Sequence, residues 1–201
     1  MNKGKIIAVI GAPRSGKSFL VNKLATVLGF YPFLEGQGDA FPEFIEKDIK
    51  NNQNSLRRIL WFRNKQIDHF LEAVGLRESK QGILLDTFWI DYQMYIDVLL
   101  QGYDKDVAQE MASLDLKTLQ WPDVILYLKN NETGTKKFIE LGGRDFDTGN
   151  FYQDVIVPLQ EKYEKVFDLV PPTTTLITLD RSEMDFEKKE NIDDLIKKMY
   201  L

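Results

Sequence analysis

The feature that most constrains the fold is the segment GAPRSGKS at residues 11–18. It follows the apolar stretch IIAVI and precedes FLVNKLATVLG, whose apolar residues keep helical spacing. A β-branched apolar run of this kind predicts a buried parallel strand. Strand, loop and helix in this order are the context in which a G-x-x-x-x-G-K-[ST] loop binds phosphate. The alternative is a glycine-rich turn that binds nothing, and the complete pattern in the right context disfavours it.

Each position of this loop has a chemical reason. Gly11 and Gly16 permit backbone conformations that a side chain would block, so successive N–H groups can surround an anion. The helix that follows directs the positive end of its dipole to the same point. Lys17 is predicted to reach the terminal phosphates of a nucleotide, and Ser18 to offer its hydroxyl to Mg²⁺. The predicted nucleotide-binding residues of the loop are Gly11, Ala12, Pro13, Arg14, Ser15, Gly16, Lys17 and Ser18.

Composition excludes several classes of function. The chain has 201 residues, which predicts one domain, and it has no cysteine and one histidine. Disulfides, thiolate chemistry and cysteine-rich or histidine-rich metal sites are therefore excluded. The net charge is −5, and no basic face or long apolar run is apparent, so we expect neither a nucleic-acid nor a membrane partner. The short N-terminal apolar run is followed at once by Pro13 and Arg14, which favours a strand over a secretory signal. We therefore expect a cytoplasmic location.

Short apolar runs alternate with longer helical patterns along the rest of the chain. The predicted strands are residues 5–10, 31–34, 82–86, 124–128 and 175–179. Alternating β and α elements indicate a parallel sheet with helices on both faces. Ligands of such sheets bind at the carboxyl ends of the strands. Gly11, Glu35 and Asp86 are therefore predicted to surround one site, together with the segment that follows residue 129.

Two carboxylates stand at predicted strand ends. Asp86 ends the apolar run GILLD and is predicted to help hold Mg²⁺, the alternative being a cap on the next helix. Glu35 ends the second strand and is a candidate general base for a substrate hydroxyl. Its alternative is an exposed loop glutamate. The polar, glycine-bearing segment 128–152 fits either a mobile segment that closes over phosphates or an ordinary surface excursion.

The order of these elements resembles the deoxynucleoside kinases, which phosphorylate the 5′-hydroxyl of deoxynucleosides with ATP and Mg²⁺. The resemblance implies an α/β P-loop NTPase fold, with a five-stranded parallel sheet, helices on both faces and a short helical lid. The whole chain, 1–201, would be one kinase-like domain with its lid at about residues 130–150. Glu35 in FLEG matches the family's catalytic base, with Gly36 where a proline usually follows. Trp61 and Gln66 reproduce the W-x-x-x-x-Q element of the substrate-binding helix, whose glutamine hydrogen-bonds the nucleobase.

Later parts of the chain match this family less completely. PDVILYL resembles the family's next strand, and LITLDRSEMDF resembles its last strand, which places Asp185 and Phe186 near the adenine of ATP. The family's acidic-Arg-Ser motif is DTF here, with Thr87 at the arginine position. The lid motif R-I-x-x-R-G-R is FIELGGR, in which Arg144 is the only one of the three arginines that is kept. Arginine stabilises charge on a transferred phosphoryl group, so Lys136, Lys137 or Arg14 would have to substitute.

The sequence thus predicts an ATP- and Mg²⁺-dependent kinase of a nucleoside, with Lys17, Glu35 and Arg144 as catalytic residues. A nucleoside monophosphate kinase is the alternative enzyme, in which case Arg57, Arg58 and Arg63 could bind the acceptor phosphate. A catalytically weak nucleotide-binding regulatory protein is the non-enzyme alternative, motivated by the missing arginines. The family is commonly dimeric, so a homodimer is possible.

Overall fold

Five parallel strands form the centre of the computed structural model, which describes residues 4–35, 41–79, 82–142 and 152–200. The strands are β1 (Lys5–Ile10), β2 (Tyr31–Leu34), β3 (Gly82–Asp86), β4 (Val124–Lys129) and β5 (Thr175–Asp180). Their order across the sheet is β2-β3-β1-β4-β5, and every neighbouring pair is parallel. The predicted α/β P-loop fold is confirmed. The first three strands have the predicted bounds, whereas β4 and β5 each extend one residue further.

The described helices are α1 (Lys17–Leu28), α2 (Glu43–Lys50), α3 (Ser55–Leu76), α4 (Asp91–Leu99), α5 (Gly102–Thr118), α6 (Glu132–Gly142), α7 (Val157–Tyr163) and α8 (Lys189–Tyr200). Helices α1 to α7 lie in the connections between the strands, and α8 follows β5. A π-helical turn, Tyr152–Ile156, precedes α7, and a 3₁₀ turn, Glu164–Asp168, follows it. Among the described residues, no helix is long and apolar enough to cross a bilayer.

The alternation of side chains along β1 supplies both apolar layers. Ile6, Ala8 and Ile10 face a layer formed with α3, α4 and α7, whereas Ile7 and Val9 face a layer formed with α1 and α8. All five of these residues are fully buried. A parallel sheet covered on both faces requires such apolar runs, which explains why strands without polar alternation were recognisable in the sequence.

The register of the sheet places three strand ends side by side. Asp86, the last residue of β3, is paired with Val9 of β1 on one side and with Leu34 of β2 on the other. Residues that follow these strands, among them Gly11 and Glu35, therefore emerge beside Asp86. This juxtaposition is the one predicted from the strand-end rule.

The predicted lid, residues 130–150, is described only in part. Helix α6 occupies the beginning of this range. Arg144, predicted to be catalytic, lies outside the described residues, and its role stays a prediction.

Candidate active site

A cavity of about 1140 Å³ opens at the carboxyl ends of the strands. Its walls combine predicted nucleotide-binding, metal-binding and acceptor-binding residues from distant parts of the chain. The predicted residues that line it are Pro13, Arg14, Gly16, Lys17, Ser18, Glu35, Gln66, Asp86, Asp185 and Phe186. Gly11, Ala12 and Ser15 lie behind this surface, in the buried part of the loop. One cavity therefore contains both the predicted donor side and the predicted acceptor side.

The loop at residues 11–18 has the backbone that its glycines predict. Gly11 has φ 151° and Gly16 has φ 93°, and both values favour glycine. A Cβ atom on Gly11 would lie 2.8 Å from the carbonyl oxygen of Leu128, so a side chain would push the loop away from β4. Arg14 also has a positive φ, of 64°. The chain thus turns sharply twice before α1 begins at Lys17.

The Lys17 side chain folds back over this loop. Its Nζ donates hydrogen bonds to the carbonyl oxygens of Gly11, at 2.8 Å, and Ala12, at 3.4 Å. These contacts leave the ammonium group at the edge of the cavity, beside the N-terminus of α1. A phosphate bound by the loop would meet the lysine charge and the helix dipole together.

Ser18 and Asp86 form the predicted metal pair. The Ser18 hydroxyl donates a hydrogen bond to Oδ2 of Asp86. The pKa of the Asp86 carboxyl is raised to about 6, chiefly by burial and to a smaller extent by nearby Glu35, against the opposing effects of Lys17 and the bond from Ser18. The capping alternative does not apply, because α4 begins at Asp91 with Ile90 as its N-cap.

This pair fits Mg²⁺ by its chemistry. Hydroxyl and carboxylate oxygens are the hard ligands that Mg²⁺ takes, and a cation would compensate the buried negative charge. Among the described residues, no group of three or more acidic, histidine or cysteine side chains could hold a metal. An ion bound here would therefore complete its shell with water and nucleotide phosphates, as is usual for Mg²⁺ in kinases.

Glu35 and Gln66 meet in the same cavity. Nε2 of Gln66 donates a hydrogen bond to Oε1 of Glu35, at 3.2 Å. Gln66 is only 3% exposed, and its Oε1 has no hydrogen-bond partner among the described residues. Glu35, the predicted general base, and Gln66, predicted to bind the nucleobase, are thus neighbours. A polar group of the acceptor could form a hydrogen bond with the remaining amide oxygen of Gln66.

Trp61, predicted to bind substrate, does not line the cavity. Its ring packs edge-on against Phe62 and Phe41, with centroid distances of 4.9 and 5.8 Å. Both phenylalanines line the cavity, so Trp61 supports that wall from behind. A direct contact between Trp61 and a ligand stays a prediction.

A family model described as an AAA domain matches residues 6–141. The chain belongs to the AAA-domain family. The match spans the phosphate loop, Glu35, α3 and Asp86, which are the elements that surround the cavity. No curated protein sequence matches this AAA domain.

Solved structures with the same fold include deoxyadenosine kinase from M. mycoides in several ligand states. The form with bound dATP is 17% identical, with a TM-score of 0.77, and the match covers 98% of this chain and 100% of that chain. The form with the products dCMP and dCDP is 16% identical, with a TM-score of 0.76 and coverage of 97% and 98%. The form with bound dCTP is 16% identical, with a TM-score of 0.75 and the same coverage. The resemblance to deoxynucleoside kinases is thus confirmed at the level of the fold.

Asp91, which sequence reasoning missed, also lines the cavity of this AAA domain. Its Oδ1 accepts a hydrogen bond from the Tyr163 hydroxyl, at 2.5 Å, and both side chains are buried. The pKa of the Asp91 carboxyl is raised to about 6, chiefly by burial and also by Asp86, against the opposing effects of Lys17 and the Tyr163 bond. An acidic residue within the apolar run TFWIDYQMY was the available signal.

Arg181 is the second residue missed, and it lies beside the phosphate loop. Its Nε donates to the Ser15 carbonyl oxygen at 3.1 Å, and its Nη1 donates to the Met184 carbonyl oxygen. The guanidinium carbon lies 3.8 Å from the centroid of the Phe186 ring and 4.9 Å from that of Phe138. Arg181 therefore joins the loop to the predicted adenine-side residue Phe186, and it places a cation there.

Proposed function

We propose that this AAA domain transfers the γ-phosphoryl group of ATP, in the presence of Mg²⁺, to the 5′-hydroxyl of a nucleoside or deoxynucleoside. The observation that carries this proposal is that one cavity is lined by Lys17 and the Ser18–Asp86 pair and also by the Glu35–Gln66 pair. A nucleotide-binding protein needs only the first group. A further carboxylate and an amide in the same cavity are what a hydroxyl acceptor requires.

Each group has one task in this reaction. Backbone N–H groups of the loop and the Lys17 ammonium hold the phosphates and compensate their charge. Ser18 and Asp86 would hold Mg²⁺, which supplies electrostatic stabilisation of the transferred group. Glu35 accepts the proton of the acceptor hydroxyl as that oxygen bonds to the γ-phosphorus and ADP leaves. Gln66 orients Glu35 through its amide and offers its remaining oxygen to the acceptor.

The nucleoside monophosphate kinase alternative loses two of its three proposed cations. Arg57 binds the Asp48 carboxylate and Arg63 binds the Asp115 carboxylate, so neither guanidinium is available for an acceptor phosphate without breaking an ion pair. Thr87 at the arginine position keeps the weak-binder alternative open. Turnover with a suitable acceptor decides between that alternative and the proposed kinase.

The test is transfer of radiolabel from γ-labelled ATP across a panel of ribonucleosides, deoxynucleosides and their 5′-monophosphates. Labelled nucleoside 5′-monophosphate, formed only in the presence of Mg²⁺ and abolished in Lys17→Ala, supports the proposal. ATP binding without transfer to any member would favour the regulatory protein instead. Label that accumulates only in diphosphates would favour the monophosphate kinase.

A further inference from the structure

The first half of α3 carries three arginines whose charges are balanced in different ways. Arg57 donates from Nε and Nη2 to the two oxygens of Asp48, at 2.8 and 2.7 Å. Arg63 donates from Nε and Nη2 to the two oxygens of Asp115, at 2.7 and 2.5 Å. These bidentate pairs satisfy both carboxylates. The third arginine, Arg58, has no such partner among the described residues.

Arg58 is a buried cation whose described hydrogen bonds go only to neutral groups. Its Nη2 donates to the Ser55 hydroxyl at 2.8 Å and to the Asn52 side-chain oxygen at 3.3 Å. Its Nε is buried and has no acceptor among the described residues, and the side chain is 3% exposed. No described carboxylate lies within ion-pair distance of it. Burial lowers the pKa of this guanidinium, and the charge of Asp48 only partly offsets that effect.

A buried charge without a counter-ion is costly, and it persists where a ligand supplies the opposite charge. Arg58 borders the same cavity as the candidate active site. It shares a face of α3 with Phe62 and Gln66, because residues four apart lie one above the other. At 1.5 Å per residue, the Cα of Arg58 lies about 12 Å along the helix axis from that of Gln66. The unbalanced charge therefore lies about two turns of α3 away from the residue that contacts Glu35.

We propose that Arg58 binds an anionic group of the acceptor, a phosphate ester or a carboxylate, that is remote from the hydroxyl receiving the phosphoryl group. This inference rests on the proposed kinase function and narrows its substrate class from neutral nucleosides to acidic ones. A 5′-monophosphate does not fit this arrangement, since its phosphate would lie at the transfer end. A nucleoside with a 3′-phosphate or a carboxylated base presents the charge at the other end.

A purely structural role for Arg58 makes a different prediction. One of its acceptors, Asn52, lies in the turn between α2 and α3, where Asn52 has φ 47° and Asn54 has φ 51°, and the other, Ser55, is the first residue of α3. An arginine that only held this turn would lower the melting temperature when replaced, and it would leave the charge preference of the cavity unchanged. Ligand preference and melting temperature therefore separate the two roles.

The experiment is calorimetric titration with matched ligands, in the presence of a saturating non-hydrolysable ATP analogue and Mg²⁺ so that the phosphate loop is occupied. One arm compares each deoxynucleoside with its 3′-monophosphate, and another compares uridine with its 6-carboxylate. The 5′-monophosphates form a third arm. The proteins are wild type, Arg58→Gln, Arg58→Lys and the charge-matched control Lys50→Gln, which changes an exposed residue at the end of α2.

We expect a charged ligand of the first or second arm to bind wild type about tenfold to a hundredfold more tightly than its neutral match. Arg58→Gln should reduce this ratio to about twofold or less, Arg58→Lys should retain part of it, and Lys50→Gln should retain all of it. Equal binding of charged and neutral ligands, no binding of any charged ligand, or a ratio that survives Arg58→Gln overturns the inference. Phosphoryl transfer to neutral nucleosides as well as to charged ones would support the proposed kinase function and contradict the role of Arg58.

Discussion

The hydroxyl of Ser18 donates its hydrogen bond to Asp86, a residue 68 positions away in the chain. This bond connects the first turn of α1 to the last residue of β3, and it aligns two oxygens at the edge of the phosphate loop. Because Asp86 is buried, its negative charge is poorly solvated until a cation arrives. The relationship leads to the first prediction.

Replacing Asp86 with asparagine should damage the Mg²⁺ dependence of the protein more than its stability. We expect the Mg²⁺ concentration for half-maximal activity to rise by about tenfold or more, since a charge-assisted ligand is lost. The melting temperature without ligand should stay equal or rise, because a poorly solvated carboxylate is removed. Metal titrations of activity and thermal unfolding measure both, with the exposed Asp68→Asn as the matched control. An unchanged Mg²⁺ requirement would remove Asp86 from the metal site.

Replacing Lys17 with alanine should abolish ATP binding while the chain stays folded. The described contacts of the Lys17 ammonium are to two loop carbonyls, so its loss removes no apolar packing. Calorimetry with Mg-ATP and thermal unfolding check this outcome. Lys23→Ala, on the same helix, is the control and should bind ATP normally. If the Lys17 variant bound Mg-ATP like wild type, the phosphate-loop interpretation would be wrong.

Replacing Glu35 with glutamine separates a kinase from a binder. The amide oxygen of the new side chain can still accept the hydrogen bond of Gln66, so the wall of the cavity keeps its shape while the basicity is lost. We expect turnover to fall by about a hundredfold to ten-thousandfold, with ATP affinity within about twofold of wild type. Steady-state kinetics with the best acceptor, alongside ATP calorimetry, measure this, and the exposed Glu72→Gln is the control. A loss below about threefold would shift the search for the base to Asp39 and Glu43.

The contribution of Asp91 to the stability of the ligand-free protein should decrease as pH rises from about 4 to about 6. The Asp91 carboxyl has its pKa raised from 3.8 to about 6, so between these values the folded state binds more protons than the unfolded state. The Asp91 contribution is then highest at the acidic end of the window, and ionisation of Asp91 costs about 3 kcal/mol by pH 7 if it is treated alone. Asp91→Asn should flatten this slope. Urea unfolding at pH 4, 5, 6 and 7 tests it, and parallel profiles of variant and wild type would contradict it.

The sequence predicted the parts of this fold that depend on local patterns. Continuous apolar runs marked the three central strands, β1, β3 and β4, because both faces of the sheet are covered there. The loop was recognisable because its glycines are required at fixed positions. Gly29, the last residue of FLVNKLATVLG, follows the end of α1 with φ 67°, a conformation in which glycine is common after helices. The proximity of Asp86 and Glu35 was predictable because the carboxyl ends of parallel strands lie at the same edge of the sheet.

The contacts that the sequence did not predict are long-range pairings of side chains. Asp91 and Tyr163 are 72 residues apart, and no local pattern pairs one buried acid with one of eight tyrosines. The three arginines in the first half of α3 looked equivalent in the sequence. Asp48 and Asp115, which lie on other helices, pair with two of them. Within the described part of the chain, Arg58 is the one of the three that has no ion pair. Roles for Trp61 and Arg144, a homodimer and a cytoplasmic location stay predictions.

The position of β1 in the sheet also determines when this protein can fold during synthesis. β1 leaves the ribosome before its two neighbours, β3 and β4, which end at residues 86 and 129. The loop after β1 even rests on the backbone of Leu128 in β4. Pairing across such distances must wait for the later segments and closes long loops, which slows folding compared with helical proteins of local topology. The loop at residues 11–18 can therefore reach its final conformation only after the ribosome has added more than a hundred further residues to the chain.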